Sequence, residues 1–216
     1  MSGKAAIVGS GSFRGEGVDF SQYKFIAGCD GGTKYLSDLG VVPHVLMGDF
    51  DSLDPAVIME MFLLGVARRG LPADKDMTDM KATLDFVTSL GYDEIDFYGA
   101  TGTRLDHSMA NLMLLLDLCD RGIKGRVINE TNIVFAITAV NGPVEQEITD
   151  VPEGWYVSFI PIGKCRGVEI RGFKYDLDPT DMDAENAGRA ISNEALDTPG
   201  RIRLEAGRLL AFFSKD

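Results

Sequence analysis

The sequence predicts an α/β fold: an open parallel sheet with flanking helices over residues 1–130, followed by a small antiparallel β-sandwich over residues 131–216. Three observations carry this reading. Up to residue 130 short apolar runs alternate with helical patterns, as parallel βαβ units require. Beyond it, apolar runs follow one another with only Gly-rich turns between them, as in antiparallel sandwiches. Four acidic clusters in the first part follow short apolar runs, and in open parallel sheets ligands bind beyond the carboxyl ends of the strands.

The elements of the first part follow in order. Ala5 to Gly9 is an apolar run ending at Gly9-Ser10-Gly11, Tyr23 to Gly28 is a second ending at Asp30, and Val45 to Met47 supplies a third strand. Asp54-Pro55 has the form of an N-cap and first helical residue, opening a helix to about Leu64 that stops at Gly65. Val66 to Leu71 reads as a fourth strand closed by Pro72. Thr78 is a good N-cap, and Met80, Leu84 and Val87 share one helical face before Gly91. Ile95 to Tyr98 is a fifth strand, Asp106 to about Asp120 an apolar helix ended by Gly122, and Arg126 to Asn129 a sixth strand.

In the second part, Ile133 to Val140 and Val144 to Ile148 flank Asn141-Gly142-Pro143, a hairpin-like break. Trp155 to Ile160, Val168 to Tyr175, Ile202 to Glu205 and Leu209 to Phe213 are further short runs. Glu205-Ala206-Gly207 between the last two predicts a tight hairpin.

The net charge of −12 argues against a nucleic-acid partner, which needs a basic surface. An acidic site still holds a nucleotide when a divalent ion carries the compensating charge. Three widely spaced cysteines, Cys29, Cys119 and Cys165, fit neither a zinc site nor a disulfide framework, and point to a reducing cytoplasm. The N-terminal residues lack a signal-peptide layout, and no apolar run reaches the roughly 18 residues of a membrane span. The expectation is a cytoplasmic protein with no membrane partner.

Met47-Gly48-Asp49-Phe50-Asp51-Ser52 sets two carboxylates two residues apart after an apolar strand. Both can turn toward one hard cation such as Mg2+, which takes oxygen ligands from carboxylates, water and phosphates. Alone, an Asp-x-Asp is more often a turn or a helix cap; here the flanking Gly48 and the position after an apolar strand favour a metal. Asp74, Asp76 and Asp79 surround Lys75 and Thr78; a helix start explains one or two of these acids through capping and the dipole. Gly99-Ala100-Thr101-Gly102-Thr103-Arg104 is a Gly-rich loop between strand and helix, suited to an anion, with Arg104 as a forked donor. It is neither a Walker A nor a Gly-x-Gly-x-x-Gly sequence. Asp106 is either part of this site or the helix N-cap. His107 and Asn111 share a helix face, and a structural role for His107 stands beside a catalytic one.

Ala27-Gly28-Cys29-Asp30-Gly31-Gly32, Gly48-Asp49-Phe50-Asp51-Ser52, Asp74-Lys75-Asp76-Met77-Thr78-Asp79 and Gly99 through His107 resemble the ordered motifs of the thiamine pyrophosphokinase family. Gly172-Phe173-Lys174-Tyr175 and Ile191-Ser192-Asn193-Glu194 resemble two further segments of it. The resemblance implies transfer of the pyrophosphoryl group of ATP to thiamine, giving thiamine diphosphate and AMP. It implies Mg2+, with Mn2+ as the alternative ion, and a homodimer with sites between subunits. By this resemblance Asp49, Asp51 and Asp79 are the metal ligands, and Asp106 joins them as a catalytic residue. Asp30, Gly31, Gly32, Asp76, Thr78, Thr101, Gly102, Arg104, Asp106 and His107 would hold the nucleotide. Tyr175, Ser192 and Asn193 would contact thiamine, although on spacing alone Tyr175 is equally a half-buried strand aromatic. Two positions depart from the family pattern: Ala82 replaces a frequent Lys, and Ala190 a usual Gly.

Three rivals stand beside this reading. A pyrophosphokinase for another alcohol would use the same acids but not Tyr175 and Ser192-Asn193. A glycosyltransferase would leave Asp76, Asp79 and Asp106 unexplained. A catalytically silent binder would have no need of the full acid set.

Overall fold

A computed structural model describes residues 3–51, 53–72, 76–196 and 199–216. The chain forms two compact units. One comprises the residues up to Leu114 with Ile123–Glu130, the other Leu115–Gly122 with Thr131–Asp216.

The first unit is built on parallel strands β1 (Lys4–Val8), β2 (Phe25–Cys29), β3 (Val45–Gly48), β4 (Ala67–Gly70), β5 (Glu94–Tyr98) and β6 (Lys124–Ile128). Their order is β6-β5-β1-β2-β3-β4. The chain lays down one side of the sheet through β4, then returns to place β5 on the other side of β1. The strand order therefore reverses between β1 and β5, where open α/β sheets carry their ligands. Ala5, Ala6, Ile7 and Val8 are fully buried, which explains why β1 reads as a continuous apolar run rather than an alternating one.

Among the described residues four α-helices flank the sheet: α1 (Gly32–Asp38), α2 (Pro55–Leu63), α3 (Asp79–Ser89) and α4 (Leu105–Asp120), whose last turns belong to the second unit. Asp54 caps α2, accepting from Ala56 N at 2.8 Å with Pro55 following, as the sequence predicts. Thr78 Oγ1 caps α3 by accepting from Lys81 N at 3.2 Å. Met80, Leu84 and Val87 all point into the core. Helix α1 follows the Cys29-Asp30-Gly31-Gly32 cluster directly, as a helical pattern after that cluster predicts, and it has no side-chain cap. Between β1 and β2 no α-helix forms. Residues 9–24 instead lay Phe13, Phe20 and Tyr23 against Leu36 and Tyr98, with one short 3-10 turn at Phe20–Gln22.

One polar cluster lies inside this unit. Asp96 of β5 is fully buried and accepts two bonds of 2.9 Å from Arg126, one of 2.6 Å from Tyr23, and pairs with Lys4 at 3.0 Å. Burial pushes its carboxyl pKa up, but Arg126, Tyr23 and Lys4 outweigh that and leave it below the usual range.

The second unit contains β7 (Asn132–Thr138), β8 (Val144–Ile148), β9 (Tyr156–Pro161), β10 (Cys165–Arg171), β11 (Leu177–Met182), β12 (Asn193–Glu194), β13 (Gly200–Leu204) and β14 (Arg208–Ser214). They pair antiparallel as β12-β9-β14-β7 and as β11-β10-β13-β8. Ile137, Phe159, Val168, Ile170, Ile202 and Leu209, from both groups, share one core. The sandwich is present, but two predicted hairpins are not. Thr138 of β7 lies opposite Arg208 of β14, and Val144 of β8 opposite Leu204 of β13. The breaks at 141–143 and 205–207 therefore carry the chain from one sheet to the other. A Gly-containing turn looks alike in sequence whether the next strand folds back or crosses, since both strands present the same apolar face. Strand β11, with the polar sequence LDPTDM, was missed for want of any apolar run.

Candidate functional site

At the β1–β5 switch the two following loops are joined backbone to backbone. Gly9 N donates to Tyr98 O at 2.8 Å, Gly11 N to Gly99 O at 2.7 Å and Ser12 N to Thr101 O at 2.7 Å. A side chain on Gly99 would place its Cβ 2.3 Å from Gly9 O, so only glycine permits this approach. The 99–102 loop is fixed from below as well. Asn111 Nδ2 donates to Ala100 O at 2.7 Å, Asn129 Nδ2 to Thr101 Oγ1 at 3.0 Å, and Gly102 N to Ser108 Oγ at 3.1 Å. Asn111 is thus a loop support, whereas His107 on the same helix is exposed.

The acids after β2 and β3 meet at Gly48. Asp30 has a left-handed backbone (φ 47°) and donates its N–H to Met47 O at 2.9 Å. A Cβ on Gly48 would fall 1.6 Å from Asp30 Oδ1, which fixes how closely that carboxylate approaches the 48–51 turn. Phe50 is also left-handed (φ 62°), and its ring is buried with Leu46, Leu53 and Met61. That unfavourable backbone conformation turns the aromatic inward and leaves Asp49 and Asp51 on the outside, both exposed. Asp51 N donates to Asp49 Oδ1 at 3.1 Å, closing the turn.

Asp79 is the first residue of α3 and Asp76 is exposed just before it. Met80, next to Asp79, lies against Gly9: a Cβ there would come 2.5 Å from Met80 Cε, so α3 begins beside the β1 loop. Ser52, Asp74 and Lys75 lie outside the described residues. Among the described residues no three Asp, Glu, His or Cys side chains gather closely enough to form a complete metal cage. The donor chemistry nonetheless suits a hard ion: Asp49 and Asp51 are carboxylates on one exposed turn. Mg2+ typically completes such a site with water and substrate phosphates. Lys81 does not stand in for the basic residue missing at Ala82, since its ammonium is bound to Asp85 at 2.6 Å.

Helix α4 starts at Leu105, so Asp106 lies within its first turn and is not its N-cap. Arg104 grips it with two bonds, Nε to Oδ1 at 3.2 Å and Nη2 to Oδ2 at 2.6 Å. That fork brings the Asp106 carboxyl down to about 2, against an opposing effect of burial and with further help from the His107 backbone. Both side chains remain about two-thirds exposed, at 67% and 66%.

In the second unit Asn193 is a clamp. Only 4% exposed, it accepts from Tyr175 N at 3.0 Å and from Glu194 N at 3.0 Å, and donates to Tyr175 O at 2.7 Å. The Tyr175 side chain is held out, 60% exposed, with Lys174 Nζ 5.6 Å from its ring centroid. Ser192 is exposed and left-handed (φ 54°), and its N–H donates to Ser158 Oγ at 3.0 Å.

The family model described as thiamin pyrophosphokinase, catalytic domain, matches residues 19–127, and that for the thiamin pyrophosphokinase vitamin B1 binding domain matches residues 144–209. The chain belongs to the thiamin pyrophosphokinase family. It is 31% identical over 190 residues to the thiamine pyrophosphokinase of Bacillus subtilis, covering 88% of this chain and 86% of that protein. The crystal structure of thiamine pyrophosphokinase from Bacillus subtilis is similar with a TM-score of 0.86 at 28% identity, over 99% of both chains. The thiamin pyrophosphokinase of Candida albicans, at 13% identity and TM-score 0.83 over 100% of this chain and 90% of that one, shares the fold.

Within this pyrophosphokinase frame, Asp30 through Asp106 lie in the catalytic match, and Tyr175, Ser192 and Asn193 in the vitamin B1 match. Sequence reasoning did not find Ser108, Asn129 or Ser158. Each supports a loop of the candidate site by hydrogen bonding to a residue 6, 28 or 34 positions away. Nothing in their own neighbourhoods marks them.

Proposed function

We propose that this family member transfers the pyrophosphoryl group of ATP to the hydroxyethyl oxygen of thiamine, releasing AMP and thiamine diphosphate. The observation that carries this is the meeting of the Asp30 and Asp49–Asp51 turns at Gly48, within the unit that matches the pyrophosphokinase catalytic domain. Attack of the thiamine oxygen on the β-phosphorus forms one P–O bond as the hydroxyl gives up its proton to water, and breaks the bond from the β-phosphorus to the bridging oxygen, whose electron pair leaves with AMP.

Asp49, Asp51 and Asp79 would hold Mg2+, or Mn2+ in its place. Bound there, the ion would neutralise phosphate charge as the bridge breaks. Asp30, Gly31, Gly32, Asp76, Thr78, Thr101, Gly102, Arg104, Asp106 and His107 surround the nucleotide in this reading. With its pKa held near 2, Asp106 is ionised at neutral pH and a weak proton acceptor. Its part is therefore to orient the Arg104 guanidinium, whose remaining N–H groups are free to face phosphate. Tyr175 offers a ring to the thiazolium cation, worth about 0.5–2 kcal/mol. Ser192 lines the same site, while Asn193 holds Tyr175 in place through its backbone.

The working form in this reading is a homodimer with sites between subunits, burying more than roughly 1,200 Å² in total. Its place is the cytoplasm, in keeping with three cysteines that form no disulfide. The test is direct. Incubation with ATP, Mg2+ and thiamine should yield AMP and thiamine diphosphate in equal amounts. ADP with thiamine monophosphate, or no thiamine product, refutes the reading. Light scattering at micromolar concentration should show a dimer, and a fully active monomer would rule it out.

A further inference from the structure

The segment between Val8 and Val18 is not explained by the acid motifs, and the catalytic-domain match begins only at residue 19. We propose that the Gly9–Phe13 turn is a further part of the nucleotide site, with the Ser10 hydroxyl donating to a phosphate oxygen and Phe13 as its positioning residue. This rests on the pyrophosphokinase reading above.

The geometry supports it in three ways. Ser10 is the exposed tip of a turn whose flanking residues are both pinned to the β5 side, Gly9 N to Tyr98 O at 2.8 Å and Gly11 N to Gly99 O at 2.7 Å. On its other side Ser10 meets the Asp30-Gly31-Gly32 segment: a Cβ on Gly31 would lie 3.1 Å from Ser10 Cβ. Ser10 therefore stands between the two loops assigned to the nucleotide, at the point where the strand order reverses. Its position needs no side-chain packing of its own, and an exposed hydroxyl there adds nothing to the core.

Three residues beyond Ser10 the chain is anchored. Phe13 is 7% exposed and its ring meets Tyr98 at 5.3 Å, Tyr35 at 5.8 Å and Phe20 at 6.4 Å. Tyr98 is held in turn: its hydroxyl is 2.6 Å from that of Tyr23, which donates to buried Asp96 at 2.6 Å. The aromatic box and the buried ion cluster beneath it thus hold Tyr98 at the root of the Gly99 loop and Phe13 at the root of the Ser10 turn. A shift of Phe13 would be felt by both.

The experiment measures binding of a non-hydrolysable ATP analogue with Mg2+ by calorimetry, together with the KM for each substrate. Ser10→Ala should weaken analogue binding about tenfold, the loss of one hydrogen bond to a charged group. Its thiamine KM should stay within about twofold of the parent, with Tm unchanged. Phe13→Ala should weaken the analogue comparably, and Phe13→Tyr should restore it. If Ser10→Ala binds the analogue like the parent while Asp30→Ala does not, the proposal falls and the pyrophosphokinase reading stands. If Phe13→Ala lowers Tm but leaves the ATP KM unchanged in the folded fraction, its positioning role is refuted. If the parent protein itself fails to bind the analogue, the nucleotide reading falls and takes this inference with it.

Discussion

Replacing Gly48 by alanine tests how the acidic turns are built. The backbone there has φ 151°, a region that side-chain-bearing residues rarely adopt, and the new methyl carbon would lie 1.6 Å from Asp30 Oδ1. Neither problem can be relieved alone. Moving the methyl away means rotating the backbone of the 48–51 turn, and clearing it by moving Asp30 displaces that carboxylate from the site. Backbone strain of this kind costs about 1–3 kcal/mol and local overpacking a similar amount, so roughly 2–4 kcal/mol should be lost in all. A domain of ordinary stability, about 5–15 kcal/mol, survives that. Catalysis should not, since a misplacement of about 1 Å commonly costs a hundredfold in rate. Urea unfolding should therefore show a folded protein with a lowered midpoint and an unchanged slope. Turnover of ATP with thiamine should fall at least about a hundredfold. A Gly48→Ala protein with parental turnover would show that the contact between Asp30 and the Asp49–Asp51 turn has no part in function.

Other predictions concern single groups. Asp49→Ala, Asp51→Ala and Asp79→Ala should each lower turnover about a hundredfold or more by removing charge neutralisation, without loss of fold by circular dichroism; near-normal rates in all three would refute the metal assignment. Asp96→Asn should destabilise the protein by about 3 kcal/mol, the low end for a broken buried pair because Arg126 and Lys4 still reach water. The folded pKa of Asp96 is lowered, so its stabilisation is complete above the ordinary carboxylate value of about 3.9 and is lost as pH falls through the folded value. The gap between parent and variant in urea should thus be flat above about pH 5 and close only in stronger acid; a gap that widens on acidification contradicts this. Arg104→Ala should let the Asp106 carboxyl rise from about 2 toward its ordinary range, readable by NMR titration; no movement would show that Arg104 is not its cause. Tyr175→Ala should raise the thiamine KM by a factor corresponding to about 1–2 kcal/mol with the ATP KM unchanged, and Asn193→Ala should raise it too while also lowering Tm. If only Tm moves in both, the thiamine assignment of Tyr175 is wrong.

Much of the architecture was legible because parallel sheets advertise themselves. Buried runs such as Ala5–Val8 and caps such as Asp54-Pro55 and Thr78 each have one dominant physical reading, and the structure contains them. The acids after β2 and β3 could be placed together from sequence because parallel strands bring their carboxyl ends to a common edge. Pairing within the second unit was not legible. The turns at 141–143 and 205–207 carry the right residues for a hairpin, yet β7 bonds to β14 and β8 to β13. Periodicity says which face of a strand is buried, but it does not say against which neighbour.

The same limit separates the motifs from their roles. Asp49-Phe50-Asp51 reads as two carboxylates around an apolar residue, which in a continuing strand would place both acids on one face. The left-handed Phe50 shows a different means to a similar end: the ring is driven into the Leu46–Met61 cluster and its burial holds the turn that exposes the acids. A polar residue at 50 would keep the motif's charges and lose the force that aims them. Ser192-Asn193 makes the complementary point. The motif marks both residues equally, but Asn193 spends its amide on the backbone of Tyr175 and Glu194, 18 positions away and next door, while Ser192 stays exposed. One residue of the pair holds the site's shape and the other is left facing outward. In each of the two segments the direction of the exposed side chains is set by neighbours whose own sequence gives no sign of the task.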